Sequence, residues 1–392
     1  MQIVSKGMAR MDMGLFVALL LMLGFGIVLV YSSSFALAEQ RFGGSEFFFA
    51  RQMVRALFAL AGFMVFINVD YHLWGRLSNM GYLMAVILLL MVLALPESQA
   101  INGAKRWVSI GTLKFQVSDF ARMMLILFLA RHGEEAGNDI KKYQVFLKQV
   151  GTVMIICVLI LFEPSFSTSA IIGLIGITML FMTGARVMHM AGIVAAAVPV
   201  AVLIAVKMPH SRLRILKFIH RHDDLQSLGY QAYQSLIGLG NGGLFGVGIG
   251  KGEQKFFYLP EPHTDFVISI LGEEIGFIGL MVVASIFAFI IYRGMRISLQ
   301  APDKQGQLMA FGFSFVIAVY ALMHASVAVG LMPTTGVALP FISYGGMSLI
   351  FMVCSMGIVL NISSQSRFGG ATESLRNGKK VRNMKTRFRT SV

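Results

Sequence analysis

The feature that most constrains this chain is the recurrence of long apolar runs. A helix rises about 1.5 Å per residue, so about 20 apolar residues cross a hydrocarbon layer about 30 Å thick. Runs of that length, or close to it, predict spans at 14–35, 51–68, 78–95, 119–131, 146–162, 167–183, 188–207, 266–292, 307–329 and 340–362. In lipid the backbone polar groups must be satisfied within the segment, which selects helices. The expected fold class is therefore an all-α polytopic membrane protein, a bundle of ten transmembrane helices. Composition agrees, because only 13% of residues are charged and 56% are hydrophobic, against about 25% charged in soluble domains.

The net charge of +14 would suit a nucleic-acid partner, but its distribution assigns it to topology instead. With the N-terminus inside, the cytoplasmic segments hold Lys6, Arg10, Arg76, Arg131, Lys141, Lys142, Lys148, Arg186, Arg293, Arg296, Lys304 and a basic tail. The short outer loops hold only Arg41, Arg51, Lys105, Arg106 and Lys114. Both termini are thus expected in the cytoplasm. The implied organisation is a cytoplasmic N-terminus (1–13), a helical domain (14–365) with a large outer loop (208–265) between helices seven and eight, and a basic cytoplasmic tail (366–392). Ala36-Leu37-Ala38 resembles a signal-peptide cleavage site. The apolar run before it exceeds the about 7–15 residues of a signal core, which predicts an uncleaved first helix. Cys157 and Cys354 lie in separate apolar runs, so neither a disulfide framework nor a thiolate metal site is expected.

Chemistry concentrates in the outer loop. YLPEPHTDFVISILGEE, residues 258–274, sets Glu261, His263 and Asp265 against an apolar run that carries Glu273 and Glu274 deeper in. Asp265 or Thr264 has a plain reading as a helix cap. That reading leaves Glu261 and His263 unexplained, and a carboxylate at a wet cavity mouth with His and Glu nearby is also a competent general base. Carboxylates one or two turns into a span are costly without a partner. On a regular helix Glu273 and Glu274 cannot both face one cavity, so one is expected to pair with Arg55 or Arg122, which also fall inside spans. Upstream, GYQAYQSLIGLGNGGLFGVGIG (229–250) is rich in glycine. Gly238, Gly240 and Gly243 fit a dinucleotide pattern, but no strand precedes them. Gly250-Lys251 resembles a phosphate-loop ending, but Phe245 stands at its first glycine and Gly252 at its Ser/Thr. The stretch either approaches a phosphate or packs as a re-entrant loop; spacing leaves both open. The residues alone define an outward polar site for an anionic amphiphile, which a polymerising enzyme, a lipid transporter or a scaffold could each possess.

The segment 258–279 resembles the signature of the SEDS family (shape, elongation, division and sporulation proteins), as do INGAKRWVSIGTLKFQVSDFAR (101–122), EPSFST (163–168), residues 229–250 and LMPTTGVALPFISYGGMSLI (331–350), in the same order. The resemblance covers about residues 14–365. It is closer to the division branch, FtsW, than to the elongation branch, RodA, through Tyr258-Leu259-Pro260, Leu271-Gly272-Glu273-Glu274 and VYSSSFALA (30–38). It implies a ten-helix peptidoglycan glycosyltransferase in the cytoplasmic membrane, at the division septum. Such an enzyme polymerises lipid II, an undecaprenyl-diphosphate-linked disaccharide peptide, on the outer face. Implied partners are a class B penicillin-binding protein transpeptidase and divisome regulatory proteins. Asp265 matches the essential acid, as general base or as ligand of a divalent cation, Mg or Mn. Glu261, His263 and Thr264 share its motif. Lys105, Arg106, Arg212 and Arg214 are candidates for the diphosphate. Gln116, Ser118, Asp119, Ser343, Tyr344 and Gly345 match cavity motifs, and Glu273 and Glu274 brace the helix. The chain departs from the family pattern at Val117, Asp119, Ser165, Ser167, Ala328 and Met347.

Overall fold

The computed structural model describes residues 11–95, 107–110, 113–220, 229–256 and 258–366. Lys105, Arg106, most of the N-terminal segment and the tail from 367 onward lie outside the described residues. The chain forms α1 (Met13–Phe42), α2 (Phe47–Asn68), α3 (Tyr71–Ala94), α4 (Val117–Ala136), α5 (Tyr143–Phe162), α6 (Phe166–Thr183) and α7 (Val187–Lys207). Two shorter helices follow in the long loop after α7, α8 (Pro209–Ile219) and α9 (Tyr230–Asn241). The bundle closes with α10 (Val267–Gln300), α11 (Lys304–Ala328) and α12 (Met347–Gln365).

Among the described residues nine helices are long and apolar enough to cross a membrane. The span expected over 119–131 falls in α4, which is long enough at 20 residues but carries Asp119, Arg122, Arg131, Glu134 and Glu135. The all-α expectation needs one amendment. Trp107–Ile110 and Leu113–Gln116 pair as an antiparallel hairpin, β1–β2, just before α4. The last span is displaced from its expected 340–362, because Gly346 turns at φ 56° and helix begins only at Met347. The other helices outrun their apolar runs at one or both ends, where polar residues extend the helix. Carboxylates start three of them: Asp12 accepts from Leu15 N (2.9 Å), Asp70 from His72 N (2.9 Å) and Asp303 from Gly306 N (2.6 Å). Each satisfies a donor that the first turn leaves free.

α11 and α12 are the most buried spans, whereas α7 buries only Ala205. α10 is broken. At Gly276 the backbone turns to φ 68°, ψ −172°. The peptide groups freed there do not go unpaired, which in lipid would cost several kcal/mol each. The glycine-rich segment takes them. Val247 N–H donates to Glu273 O (2.9 Å) and Gly248 N–H to Glu274 O (3.0 Å), while Phe277 and Ile278 donate to Gly243 O (2.9 Å) and Leu244 O (3.1 Å). Two of the segment's amides are spent on α10 and two of its carbonyls receive α10's, so it packs on the bundle as a re-entrant loop would. Glycine is required because a Cβ on Gly276 would stand 2.3 Å from Gly246 N, and one on Gly246 would stand 2.2 Å from Glu274 O.

Gly276→Ala and Gly246→Ala are expected to destabilise the protein by about 2 kcal/mol or more, through backbone overlap and positive φ. Gly240→Ala, in open space within α9, should be neutral or stabilising. Thermal unfolding in detergent checks all three.

Candidate active site

The site is assembled where the long loop after α7 enters α10. The helix begins at Val267 with Phe266 at its N-cap and no side-chain cap bond. Thr264 Oγ1 donates to Glu261 O (3.2 Å) instead of capping. Asp265 makes no side-chain hydrogen bond among the described residues. The capping reading of this motif is therefore not realised, and the Asp265 carboxylate remains available.

Its surroundings are specific. Glu261 holds φ 50°, and its carbonyl receives the N–H of Thr264 and Asp265 at 3.2 Å each. This turn aims Asp265 at a loop from α11 to α12, where Gly336 (φ 70°) lies between two charges. A Cβ placed on Gly336 would meet Arg214 Nη2 at 3.8 Å and Asp265 Oδ2 at 3.9 Å. Arg214 itself donates to Thr335 O (3.2 Å) from α8. Burial pushes the Asp265 carboxyl up to about 6, against the pull of the Arg214 guanidinium and with a further push from the Glu261 charge. A conjugate acid near 6 gives a carboxylate that is ionised at neutral pH yet more basic than a free one.

His263 behaves differently. Burial, with the Arg41 charge, holds its imidazolium down to about 4, so the ring is neutral and a poor proton acceptor at neutral pH. It is a wedge between rings: 4.5 Å from Phe48 and 5.3 Å from Tyr344, centroid to centroid. Its carbonyl accepts Tyr344 N–H (2.9 Å). Below, His324 of α11 lies within 3.4 Å of Thr264 O. The Glu261–Asp265 turn is thus held from both sides, by α12's entry loop and by α11. Ser343 stabilises that entry loop by accepting Leu339 N–H (2.9 Å), and Gly345 O accepts Ser348 N–H (3.0 Å).

The deeper carboxylates correct the sequence expectation. Neither pairs with Arg55 or Arg122. Glu273 accepts Glu253 N–H (2.9 Å) and Gln254 N–H (3.1 Å). Glu274 binds Lys255 Nζ (2.6 Å), with both side chains fully buried, and accepts Ser32 Oγ from α1 at 2.7 Å. Although adjacent residues lie about 100° apart on a helix, both reach one segment, 253–255, because that segment wraps across α10. Arg122 instead pairs with Asp119 at 3.1 Å and donates to Tyr320 Oη. Arg55 lies over the Tyr344 ring, 4.3 Å from its centroid.

Of the other sequence candidates, Arg214 reaches the site and Arg212 is exposed on the same helix. Gln116 donates to Ser118 Oγ (3.0 Å) at the start of α4, and Asp119 is committed to Arg122. Lys255 and Ser32 were missed. A lysine in a polar stretch and a serine in an apolar run carry no mark of a partner 19 and 242 residues away.

A bundle of membrane-length helices with an unbonded acid just ahead of a broken helix, braced by a glycine loop, defines a membrane-embedded class of site. Over residues 13–368 the chain matches the family FtsW/RodA/SpoVE, described as cell cycle protein. It is 36% identical over 344 residues to a probable peptidoglycan glycosyltransferase FtsW of Geobacter sp. (strain M18), covering 88% of this chain and 94% of the relative. It is 36% identical over 358 residues to stage V sporulation protein E of Bacillus subtilis (strain 168), covering 91% and 98%. A chain in a solved peptidoglycan synthase complex, described as coordinating polymerization and crosslinking, superposes with TM-score 0.73 at 24% identity, over 91% of this chain and 98% of that one. The rod shape determining protein RodA of Thermus thermophilus gives 0.67 at 24% identity, with the same coverage. The chain belongs to the FtsW/RodA/SpoVE family, the SEDS proteins that its motifs resemble.

Lys255→Met is expected to cost about 3–5 kcal/mol by leaving Glu274 buried and unpaired, and the added change Glu274→Gln should recover much of it. A double-mutant cycle on thermal unfolding in detergent measures the coupling.

Proposed function

We propose that this chain is a peptidoglycan glycosyltransferase that polymerises lipid II on the outer face of the cytoplasmic membrane during cell division. The observation that carries the reading is Asp265: an unbonded carboxylate with a conjugate acid near 6, at the outer end of α10 beside Arg214. The FtsW name of relatives at 36% identity supports the division branch. Both termini are taken as cytoplasmic from the distribution of Lys and Arg, with α4 as a tenth crossing. The likeness to a synthase complex supports a class B penicillin-binding protein as partner.

In this mechanism Asp265 removes the proton from the 4-hydroxyl of the acceptor sugar. That oxygen attacks the anomeric carbon of the donor, forming the new C–O bond. The bond from that carbon to the polyprenyl diphosphate breaks, and its electron pair leaves with the diphosphate. One displacement converts an α-linked donor to a β-linkage. Arg214 keeps the mouth positive for the anionic substrate. His263 supports the turn and takes no proton.

A divalent cation fits the donor set in one form only. No group of three His, Cys, Asp or Glu is assembled among the described residues, which disfavours a protein-only cage. Asp265 and Glu261 could hold a magnesium-like ion that keeps waters and shares phosphate oxygens. Bound there, it would neutralise charge on the diphosphate.

Transport of lipid II is the second reading. It drew support from intramembrane charges. Glu273, Glu274 and Arg122 now have structural partners, so that support is reduced.

Polymerisation by the purified chain, with a partner whose transpeptidase site is dead, tests the proposal. Asp265→Asn should abolish glycan while leaving partner binding intact; equal glycan from both proteins would remove Asp265 as base. Wild-type turnover should rise with pH through about 6, as Asp265 ionises. Stability should run the other way. Burial disfavours the ionised form, so the contribution of Asp265 is full below the usual carboxylate range and lost as pH rises through about 6. Asp265→Asn should therefore be at least as heat-stable as wild type at pH 7.5, which differential scanning fluorimetry checks.

A further inference from the structure

Beneath the Asp265 turn lies a polar pair that the mechanism above does not use. Phe48, Gln52 and Arg55 are spaced i, i+4 and i+7 on α2 and so share one face. Phe48 meets His263 and Tyr344, with ring centroids 4.5 and 5.2 Å away. Arg55, one helical turn beyond Gln52, places its guanidinium over the other contact of that face, the Tyr344 ring.

Both polar side chains are buried and under-used. Gln52 is 0% exposed, and neither its amide oxygen nor its amide nitrogen has a partner. Arg55 is 7% exposed, its Nη1 has no partner, and no carboxylate pairs with it among the described residues. A buried cation without a counter-ion is costly. Inside a membrane such a group faces an internal partner or a substrate path. The aromatic face of Tyr344 offsets part of that cost but leaves the planar N–H fork open. That fork matches phosphate oxygens bidentately, and the Gln52 amide can donate beside it.

We infer that Gln52 and Arg55 form an anion subsite for the diphosphate of a polyprenyl-diphosphate-linked substrate, below the His263–Tyr344 contact. This rests on the glycosyltransferase reading for the identity of the substrate. The placement follows from the chemistry of such a lipid. Its chain is confined to the bilayer, so its diphosphate sits on the membrane side of the sugars. Arg55 lies seven residues into α2 from Phe48, about 10 Å further toward the membrane interior, while Asp265 lies two residues past His263 at the rim. The arrangement stacks the two halves of the reaction: proton removal above, leaving-group charge below. The electron pair leaves on the diphosphate, whose oxygens the Arg55 guanidinium faces, and Arg214 remains an outer contact.

Binding of undecaprenyl diphosphate to the purified full chain in detergent tests this, with undecaprenol as the uncharged probe. Arg55→Ala should weaken undecaprenyl diphosphate by about tenfold or more, the scale of a lost charged hydrogen bond, and leave undecaprenol unchanged. Arg55→Lys, which keeps the charge and loses the fork, should fall between. Gln52→Glu should weaken the diphosphate by repulsion without changing side-chain size, and it serves if Arg55→Ala does not fold. Unchanged diphosphate binding in Arg55→Lys and Gln52→Glu, or equal loss of both probes in every variant, overturns the subsite. Polymerisation assayed on the same samples separates the two proposals. Glycan from wild type with diphosphate binding indifferent to Arg55 and Gln52 removes the subsite and keeps the enzyme. Arg55-dependent binding with no glycan from wild type in an active partner complex removes the enzyme and keeps the subsite.

Discussion

The Glu274 carboxylate and the Lys255 ammonium, 2.6 Å apart and fully buried, are the contact around which the Asp265 end of this protein is arranged. Two charges removed from water are expensive, and only close pairing with further hydrogen bonds makes the burial tolerable. Ser32 supplies such a bond from α1, and Phe35 lends its ring to the ammonium at 4.9 Å. Three distant segments are thereby joined: α1, the loop at 253–255 and α10. Glu273 adds the loop's own amides to the same clasp. The loop then has one place to lie, and the Tyr258–Asp265 motif that follows inherits its position.

The break at Gly276 belongs to the same device. An unbroken α10 would keep the carbonyls of Glu273 and Glu274 for itself. Turning the backbone there releases them to Val247 and Gly248, so the glycine loop packs on α10 through shared peptide bonds. Irregular backbone at membrane depth survives only where protein satisfies it. Carboxylates that would mark a transport path in isolation are here the anchors of a fixed scaffold. A rigid support suits the proposed role of Asp265, which requires one fixed geometry toward its substrate.

Above this scaffold the site divides its polar residues by environment. Asp265 stays partly open between Arg214 and Glu261, whereas His263 is sealed among aromatic rings and held neutral. The two sit two residues apart in one turn, yet burial pushes one conjugate acid up and the other down. Burial favours the neutral form of each, so the opposite shifts follow from residue type: the neutral carboxyl holds its proton and the neutral imidazole has lost one.

Much of this was legible in the sequence. Each of the ten expected spans falls on a helix, because crossing lipid imposes a minimum length that composition reveals. Run length fell short at α4, where Asp119 and Arg122 neutralise each other inside the bundle, and at the 340s, where Gly346 delays the helix. The Asp265 motif stood out by its density of ionisable groups, but its spacing served a cap and a base equally well. Only the tertiary structure removed the cap, by starting α10 at Val267 and leaving Asp265 unbonded among the described residues. It alone also assigned Glu274 to Lys255 rather than to an arginine, made the glycines a packing surface, and left the Gln52 amide and Arg55 Nη1 without hydrogen-bond partners among the described residues. The physical reason is the same in each case. Burial in lipid is a property of local composition, readable along the chain, whereas the partner of a buried charge is a property of which distant segments meet.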